Sequence, residues 1–459
     1  LTLNRRLAPN VYLEVVPIGE KNGLLSIGAQ PAREYAVKMH QFSPQAQLDE
    51  QLKRGDLSTE QIDELSLSIA SFHQSIEVSG DSDPFGTPKM IWLPVEENFK
   101  QIRAIVTDKQ ALNRLEALEQ WSKTEFACLK PLFIERKQNG FIRDCHGDMH
   151  LANITVVDCK ITLFDCIEFN ETFRRIDVIS DIAFTMMDLI DKGKPDYAAR
   201  LLDQYLQYTG DYQGVRLLPF YLVYRAMVRA KVAAIRGKQE GASEATQHQA
   251  TTDYSDYTQL ALRFTQQKKG ILFVANGVSG SGKTTLTQPL LEKYNLIRLR
   301  SDVERKRLFG YHSQDNTNGA IYGPNASAQT YDYLLDTAST LCRSGFPVIV
   351  DATFLKRSQR QAFKNLASQT NIPFVILHFH AQESLLRKWI TERAAIGRDA
   401  SEATVEVLNK QLQDLEPVKN DEADYVFSID TGTDNATAQL MSLVTPVMEK
   451  LSRKLTESA

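Results

Sequence analysis

Residues 277–284 read Gly277-Val278-Ser279-Gly280-Ser281-Gly282-Lys283-Thr284, and this stretch restricts the fold more than any other in the chain. The spacing is G-x-x-x-x-G-K-[ST], preceded by an apolar run at 271–275 and followed by a helical pattern with Leu286, Leu290 and Leu291. Glycines let backbone N–H groups crowd around phosphate oxygens, and a helix start adds the positive end of its dipole. Lys283 can then reach the β- and γ-phosphates and Thr284 can ligate magnesium, with Thr285 next along the helix. A loop of this kind requires a strand before it and a helix after it.

The remainder of the second half agrees. Apolar runs at 271–275, 296–299, 347–350, 374–379 and 425–429 alternate with helical patterns, which predicts a parallel sheet covered on both faces. Asp351 ends the third run. It is placed either to hold magnesium at the carboxyl end of a strand or to cap the next element. His378 and His380 alternate along the fourth run and are expected to be packing or surface residues. Arg387, Arg393 and Arg398 fall at 384–411, where Gly397 interrupts two helical patterns. A basic lid over transferred phosphate would have this composition, although isolated arginines are also commonly solvated.

Residues 270–451 resemble the P-loop kinase family that includes zeta-toxin-like, gluconate-kinase-like and polynucleotide-kinase-like proteins. The resemblance implies phosphoryl transfer from ATP with Mg2+, and leaves the acceptor open. In small-molecule kinases of this fold a carboxylate at the place of Asp302 orients or deprotonates the acceptor hydroxyl. A helix N-cap is the other reading of Asp302.

The first half carries a different pattern. Short apolar runs at 11–16 and 34–39, separated by Gly19, Gly23 and Gly28, predict strands, and helical patterns come next at 58–73 and 96–130. Apolar runs at 154–157 and 161–164 flank Asp158-Cys159-Lys160 as a hairpin, after which helices are expected over 178–236. His146-Gly147-Asp148 precedes this hairpin, Asn153 leads into it and Asp165 lies just beyond it. Asp148-x4-Asn153 reproduces the spacing by which kinase folds place a catalytic base and a magnesium-ligating amide on one loop. The set resembles the aminoglycoside phosphotransferase family, whose members phosphorylate hydroxyls of small molecules. By that resemblance Asp148 would accept the substrate proton, Asn153 and Asp165 would hold metal, and His146 would brace the loop. Asp181 would either support the loop or cap a helix. His150 has no assigned role. Asp165 is followed by Cys166-Ile167-Glu168 rather than the Phe-Gly of protein kinases, so protein-kinase regulation does not carry over.

Such folds pair a strand lysine with the α- and β-phosphates, and the available candidate is Lys38 in Tyr35-Ala36-Val37-Lys38-Met39. The chain after Lys38 leaves no room for the expected helix and further strands. Lys38 therefore reads as part of the strand entering the hinge, residues 1–7 as the end of the preceding helix, and the lysine strand as lying upstream of Leu1. The whole arrangement resembles bacterial proteins described as bifunctional aminoglycoside-phosphotransferase/ATP-binding proteins. It is a multidomain chain: an α+β protein-kinase-like phosphotransferase domain over 1–236 with a partial N-lobe and a mostly helical C-lobe, a linker and linking helix over 237–265, and an α/β P-loop kinase domain over 266–459.

Charge and composition narrow the partners. Lys+Arg at 53 against Asp+Glu at 57 gives a net charge of -4, so no whole-chain basic field favours nucleic acid or membrane. The five cysteines form no C-x-x-C pair, which suits reduced thiols and gives no structural metal site. The amino terminus lacks the apolar core of a signal peptide and no stretch approaches the roughly 18 continuous apolar residues of a membrane span, so a cytoplasmic protein is expected. The expected function is ATP-dependent transfer to a small hydroxylated acceptor at two sites. A nucleotide-sensing first domain that regulates the P-loop half is the second reading. A polynucleotide end kinase, with Arg305-Lys306-Arg307 touching phosphates, is the third and is disfavoured by the acidic balance. Nothing in the sequence sets an oligomeric state.

Overall fold

Strand β1 (Tyr12–Lys21) pairs antiparallel with β2 (Leu24–Ile27) and β3 (Ala32–Met39), giving the order β2-β1-β3. The turn between β1 and β2 uses Asn22 and Gly23, both at positive φ, the geometry that matches hairpin twist. The computed structural model describes residues 1–459 apart from 267–269, 314, 318, 397–399 and 457–459. Val15 and Val37 are register partners in this sheet, and both are exposed.

Helices dominate the rest of the first half. The helix Thr59–Ser75 opens with Ser58 accepting from Gln61 N while the Gln61 side chain accepts from Ser58 N, a reciprocal cap. Where the sequence pattern suggests one helix over 96–130, the chain forms two, Pro88–Ile105 and Lys109–Gln138. Asp108 starts the second by accepting from Ala111 N, so a local cap interrupts the periodicity. β4 (Ile154–Val157) and β5 (Lys160–Leu163) form the expected hairpin, with Asp158 and Cys159 at positive φ in its turn. Next come α1 (Val178–Asp191), α2 (Pro195–Thr209) and α3 (Leu218–Gly237). A buried aromatic group of Phe133, Phe220 and Tyr221 joins α3 to the helix 109–138.

The chain forms two compact units. Leu1–Lys194 and Leu217–Thr265 make the first; Pro195–Arg216 and Gln266–Ala459 make the second. Two expectations about boundaries change accordingly. The helix Glu244–Phe264, expected as a linking helix between domains, is packed into the first unit against α3, burying Ala250, Tyr254, Leu260 and Ala261. The segment 195–216, expected in the first domain, belongs to the second unit, because the apolar face of α2 joins that unit's core through Ala199 and its Asp203 meets a buried arginine there.

In the second unit β6 (Leu272–Asn276) lies at the centre of a five-stranded parallel sheet. After it come α4 (Lys283–Tyr294), β7 (Ile297–Arg300), α5 (Ser301–Leu308), β8 (Val348–Asp351), β9 (Phe374–His380), α6 (Glu383–Ile396), α7 (Val405–Asp414) and β10 (Tyr425–Asp430). The sheet order is β10-β9-β6-β8-β7. All five residues of β6 are buried, as a strand covered on both faces requires: Phe273 and Ala275 join a core with Leu290, Ile349 and Leu377, while Leu272 and Val274 are buried in the alternate direction. The chain goes from β6 across β8 to β7, then returns to the other side of β6 for β9, so the order reverses at β6. In open parallel sheets the crevice at such a reversal, beyond the strands' carboxyl ends, is where ligands bind. Among the described residues no helix is long and apolar enough to cross a membrane.

Candidate nucleotide-binding site

The loop 277–282 leaves β6 at its carboxyl end and enters α4. Gly277, Gly280 and Gly282 have φ of 151°, 80° and 74°. A Cβ on Gly277 would meet the Phe379 carbonyl at 2.5 Å, and one on Gly280 would meet Ile390 Cγ1 at 2.7 Å. Both positions therefore need glycine for space as well as conformation. Val278 is buried with Leu386, Ile390 and Leu408, which anchors the loop to α6 and α7. Ser279 is held as well: its N–H donates to Gln411 Oε1 at 2.7 Å, and Gln411 Nε2 donates to its hydroxyl at 3.0 Å.

Lys283 folds over its own loop, donating to the carbonyls of Gly277 at 2.8 Å and Val278 at 2.9 Å. Burial lowers its pKa, with Asp351 and Asp302 opposing the shift and Arg393 and Arg300 reinforcing it. The Thr284 hydroxyl donates to Asp351 Oδ2 at 2.5 Å. Asp351 is 5% exposed and closes β8, with Ala275 of β6 and Arg300 of β7 as register partners.

An open cleft of about 380 Å³ joins these groups. Its walls include Ser279 to Thr285, Asp302 and Asp351, together with Arg300, Trp389 and Arg393. Gly277 and Val278, the first two residues of the loop, are not part of this wall, and Val278 is buried. Asp302 lies in the first turn of α5, and no side-chain cap hydrogen bond starts that helix, so the capping reading loses to placement in the cleft. Of the three lid arginines, Arg393 lines the cleft. Arg387 does not: it bonds Glu383 at 2.5 Å, one helical turn away on α6, and Asn409 at 2.5 Å, and is excluded from the wall. Arg398 lies outside the described residues. His378 bonds Asn276 at 2.5 Å, and burial, with help from His380 and Arg360, lowers its pKa to about 4, as a packing role implies.

Arg300 and Trp389 escaped the sequence reading. Arg300 was detectable in principle, because it ends a parallel strand two residues before Asp302. Gln411 gave no signal, since a glutamine on an amphipathic helix has no motif. Arg305, Lys306 and Arg307 form no exposed basic patch. Arg305 stacks over Tyr322, Lys306 is 3.1 Å from Glu402, and Arg307 pairs with Glu304.

The first unit gathers the second constellation. Asn153 Nδ2 donates to the Asp148 carbonyl at 3.0 Å and to its carboxylate at 3.1 Å. Asp181 is buried and accepts from His146 N at 3.0 Å and Gly147 N at 2.9 Å, while Asp177 caps α1. Asp181 therefore supports the loop and does not cap the helix. Burial alone would raise its pKa, but the His73 hydrogen bond and the charges of His73, His146 and Arg225 outweigh that and hold it at about 2. His146 bonds the Phe164 carbonyl at 2.9 Å, tying the loop to the end of the hairpin. Burial likewise opposes ionisation of Asp148, but His150, 3.6 Å away, with Arg225 and His146, keeps its pKa below the usual value. Asp165 is exposed, at φ 61°, and its N–H donates to the Tyr12 hydroxyl. Lys38 joins an exposed pair with Glu14 at 2.8 Å.

His73, Cys145 and Asp181 bring ligand-type atoms within 4.8 Å of one another. The Asp181 oxygens already accept backbone N–H groups, and burial raises the Cys145 pKa well above its ordinary value, which favours thiol over the thiolate a metal requires.

Thr284 and Asp351 supply hard oxygen donors beside the glycine loop, a donor set that suits Mg2+. Loop, sheet order and cleft together give the second unit the architecture of a P-loop nucleotide-binding domain. Residues 272–418 match the family described as an AAA domain. Over 406 residues, 87% of this chain and 78% of the relative, the sequence is 27% identical to an uncharacterized protein of Mycobacterium tuberculosis and to its counterpart in Mycobacterium bovis. Similar solved structures include a gluconokinase from Sinorhizobium meliloti, 21% identical, covering 41% of this chain and 99% of that one with a TM-score of 0.30. An ethanolamine kinase from Plasmodium vivax is 13% identical, covering 49% and 64% with a TM-score of 0.31.

Proposed function

We propose that the protein is an ATP-dependent phosphotransferase whose P-loop site acts on a small hydroxylated molecule. The observation that carries this reading is the convergence of Lys283, Thr284, Asp351, Asp302 and Arg393 on one cleft at the sheet's reversal point. Backbone N–H groups of 280–284 bind the nucleotide phosphates, and Lys283 leaves its loop carbonyls for the β- and γ-phosphates. Thr284 and Asp351 would hold Mg2+, which neutralises charge on those phosphates when bound. Asp302 accepts the proton of the acceptor hydroxyl as its oxygen forms a bond to the γ-phosphorus and the bond to the ADP oxygen breaks. Arg393 and Arg300 stabilise the charge spread over the transferred group. In the first unit Asp148 would be the base of a second phosphotransferase site, with Asn153 and Asp165 as its metal ligands.

In a second reading the first unit senses nucleotide without turnover and regulates the other; Lys38, bonded to Glu14, supplies no cation to the Asp148, Asn153 and Asp165 set. Assaying ATP turnover against a panel of hydroxylated acceptors tests both. Loss of all activity in Lys283→Ala with none lost in Asp148→Ala supports the regulatory reading. Loss of separate acceptor activities in the two variants supports two enzymes. Activity unchanged in Lys283→Ala would refute the P-loop assignment. Binding to oligonucleotides that weakens steeply with salt would instead bring back the end-kinase reading.

A further inference from the structure

The second unit holds a buried polar chain that begins outside the P-loop portion of the sequence. Asp203 and Arg298 are 1% and 2% exposed and pair at 2.5 Å through Asp203 Oδ2 and Arg298 Nη2, with a second contact from Nε to Oδ1 at 3.3 Å. The Arg298 guanidinium then donates from Nη1 to the Thr284 carbonyl at 3.0 Å and from Nη2 to Gln288 Oε1 at 2.7 Å. One turn along α2, Gln207 donates to Asp203 Oδ2 at 2.7 Å and accepts from Arg300 Nη1 at 3.0 Å. Two residues of the cleft, Thr284 and Arg300, are thus held by a helix some 70 positions upstream of the glycine loop, as the numbering shows.

We infer that α2 is a working part of the nucleotide site, in which Asp203 positions the first turn of α4 through Arg298 and Gln207 positions Arg300. This rests on the reading above that the site takes MgATP. A buried ion pair is a costly way to gain stability, since apolar residues of similar volume often serve as well. This pair does something apolar residues would not. It directs a guanidinium at the backbone of Thr284, whose hydroxyl is bonded to Asp351. The oxygen donors at Thr284 and Asp351 keep their mutual placement only while the start of α4 stays fixed relative to β7 and β8. Groups that orient metal ligands from behind typically change metal affinity or activity about 10–100-fold when removed.

The test measures binding of ATP to the full chain by calorimetry, with and without Mg2+, alongside thermal unfolding. Asp203→Asn should weaken MgATP binding about tenfold while leaving metal-free ATP binding within about twofold, because the loop N–H groups remain. Asp203→Leu combined with Arg298→Met removes the pair without stranding a buried charge, so it controls for folding. It should unfold near the wild-type temperature and lose the same Mg2+-dependent gain. Wild-type Mg2+ dependence in this folded double variant, or a lowered unfolding temperature with unchanged Mg2+ dependence in Asp203→Asn, would reduce the pair to a structural brace and overturn the inference. Failure of the wild-type protein to bind MgATP would overturn the underlying reading instead, and the inference with it.

Discussion

The Thr284 hydroxyl donates to the Asp351 carboxylate at 2.5 Å, joining the start of α4 to the end of β8 where both line the cleft. Two residues 67 positions apart thereby meet as a pair of oxygen donors.

Removing either member should disable the site in a metal-dependent way. Thr284→Ala and Asp351→Asn are each expected to lower ATP turnover about 10–100-fold, with a raised Mg2+ requirement. Steady-state rates across a Mg2+ titration check this. An unchanged Mg2+ midpoint in both variants would count against a metal role for the pair.

Arg387 and Arg393 share a helix but not an environment, and their variants should diverge. Arg393→Ala is expected to reduce turnover by about 10²-fold or more, as loss of a charge-stabilising donor does. Arg387→Ala, whose side chain is spent on Glu383 and Asn409, should stay within about twofold. Equal losses in a side-by-side kinetic comparison would mean that the cleft is lined differently during turnover.

Asp181 couples the first unit's loop to acid stability. Its folded pKa of about 2 lies below the ordinary aspartate value, so its contribution is present above about pH 4 and is lost as pH falls through about 2. Asp181→Asn should cost about 2 kcal/mol at neutral pH and flatten the acid limb of the stability curve. Denaturant unfolding measured between pH 2 and pH 7 gives both numbers, and a variant curve parallel to wild type at all pH values would refute the linkage.

Arg136 and Asp177 form a buried two-point pair at 2.6 and 2.8 Å, with Arg136 4.1 Å from the Phe141 ring centre and Asp177 also capping α1. Arg136→Leu leaves a buried carboxylate without its cation, a change that costs about 3–5 kcal/mol. Chemical denaturation should show that loss. A loss under about 1 kcal/mol would mean that the α1 cap satisfies Asp177 by itself.

Much of the second unit is legible in the residues alone. The glycine loop, its flanking strand and helix, and the five parallel strands can be read from residue type and spacing, because phosphate-cradling geometry and two-sided burial each leave a local signature. The predicted run 271–275 and the observed β6 differ by one residue at each end. The hairpin of β4 and β5 is equally visible. Asp181 stands between two roles in the sequence because capping and loop support call for the same residue type. Only the hydrogen bonds to His146 and Gly147 separate them.

Sequence alone determined the motif residues of both constellations, since each must carry a particular functional group or conformational freedom at a set spacing. Tertiary structure alone decided which side chains join them. Arg393 faces the cleft and Arg387 does not, although both lie on α6. Arg300, Trp389 and Gln411 are brought in by strand ends and helix faces without local signature. Most of all, α2 leaves its sequence neighbours for the second unit, because burial of Ala199 and the pairing of Asp203 with Arg298 depend on partners about a hundred residues away, and no local pattern records them.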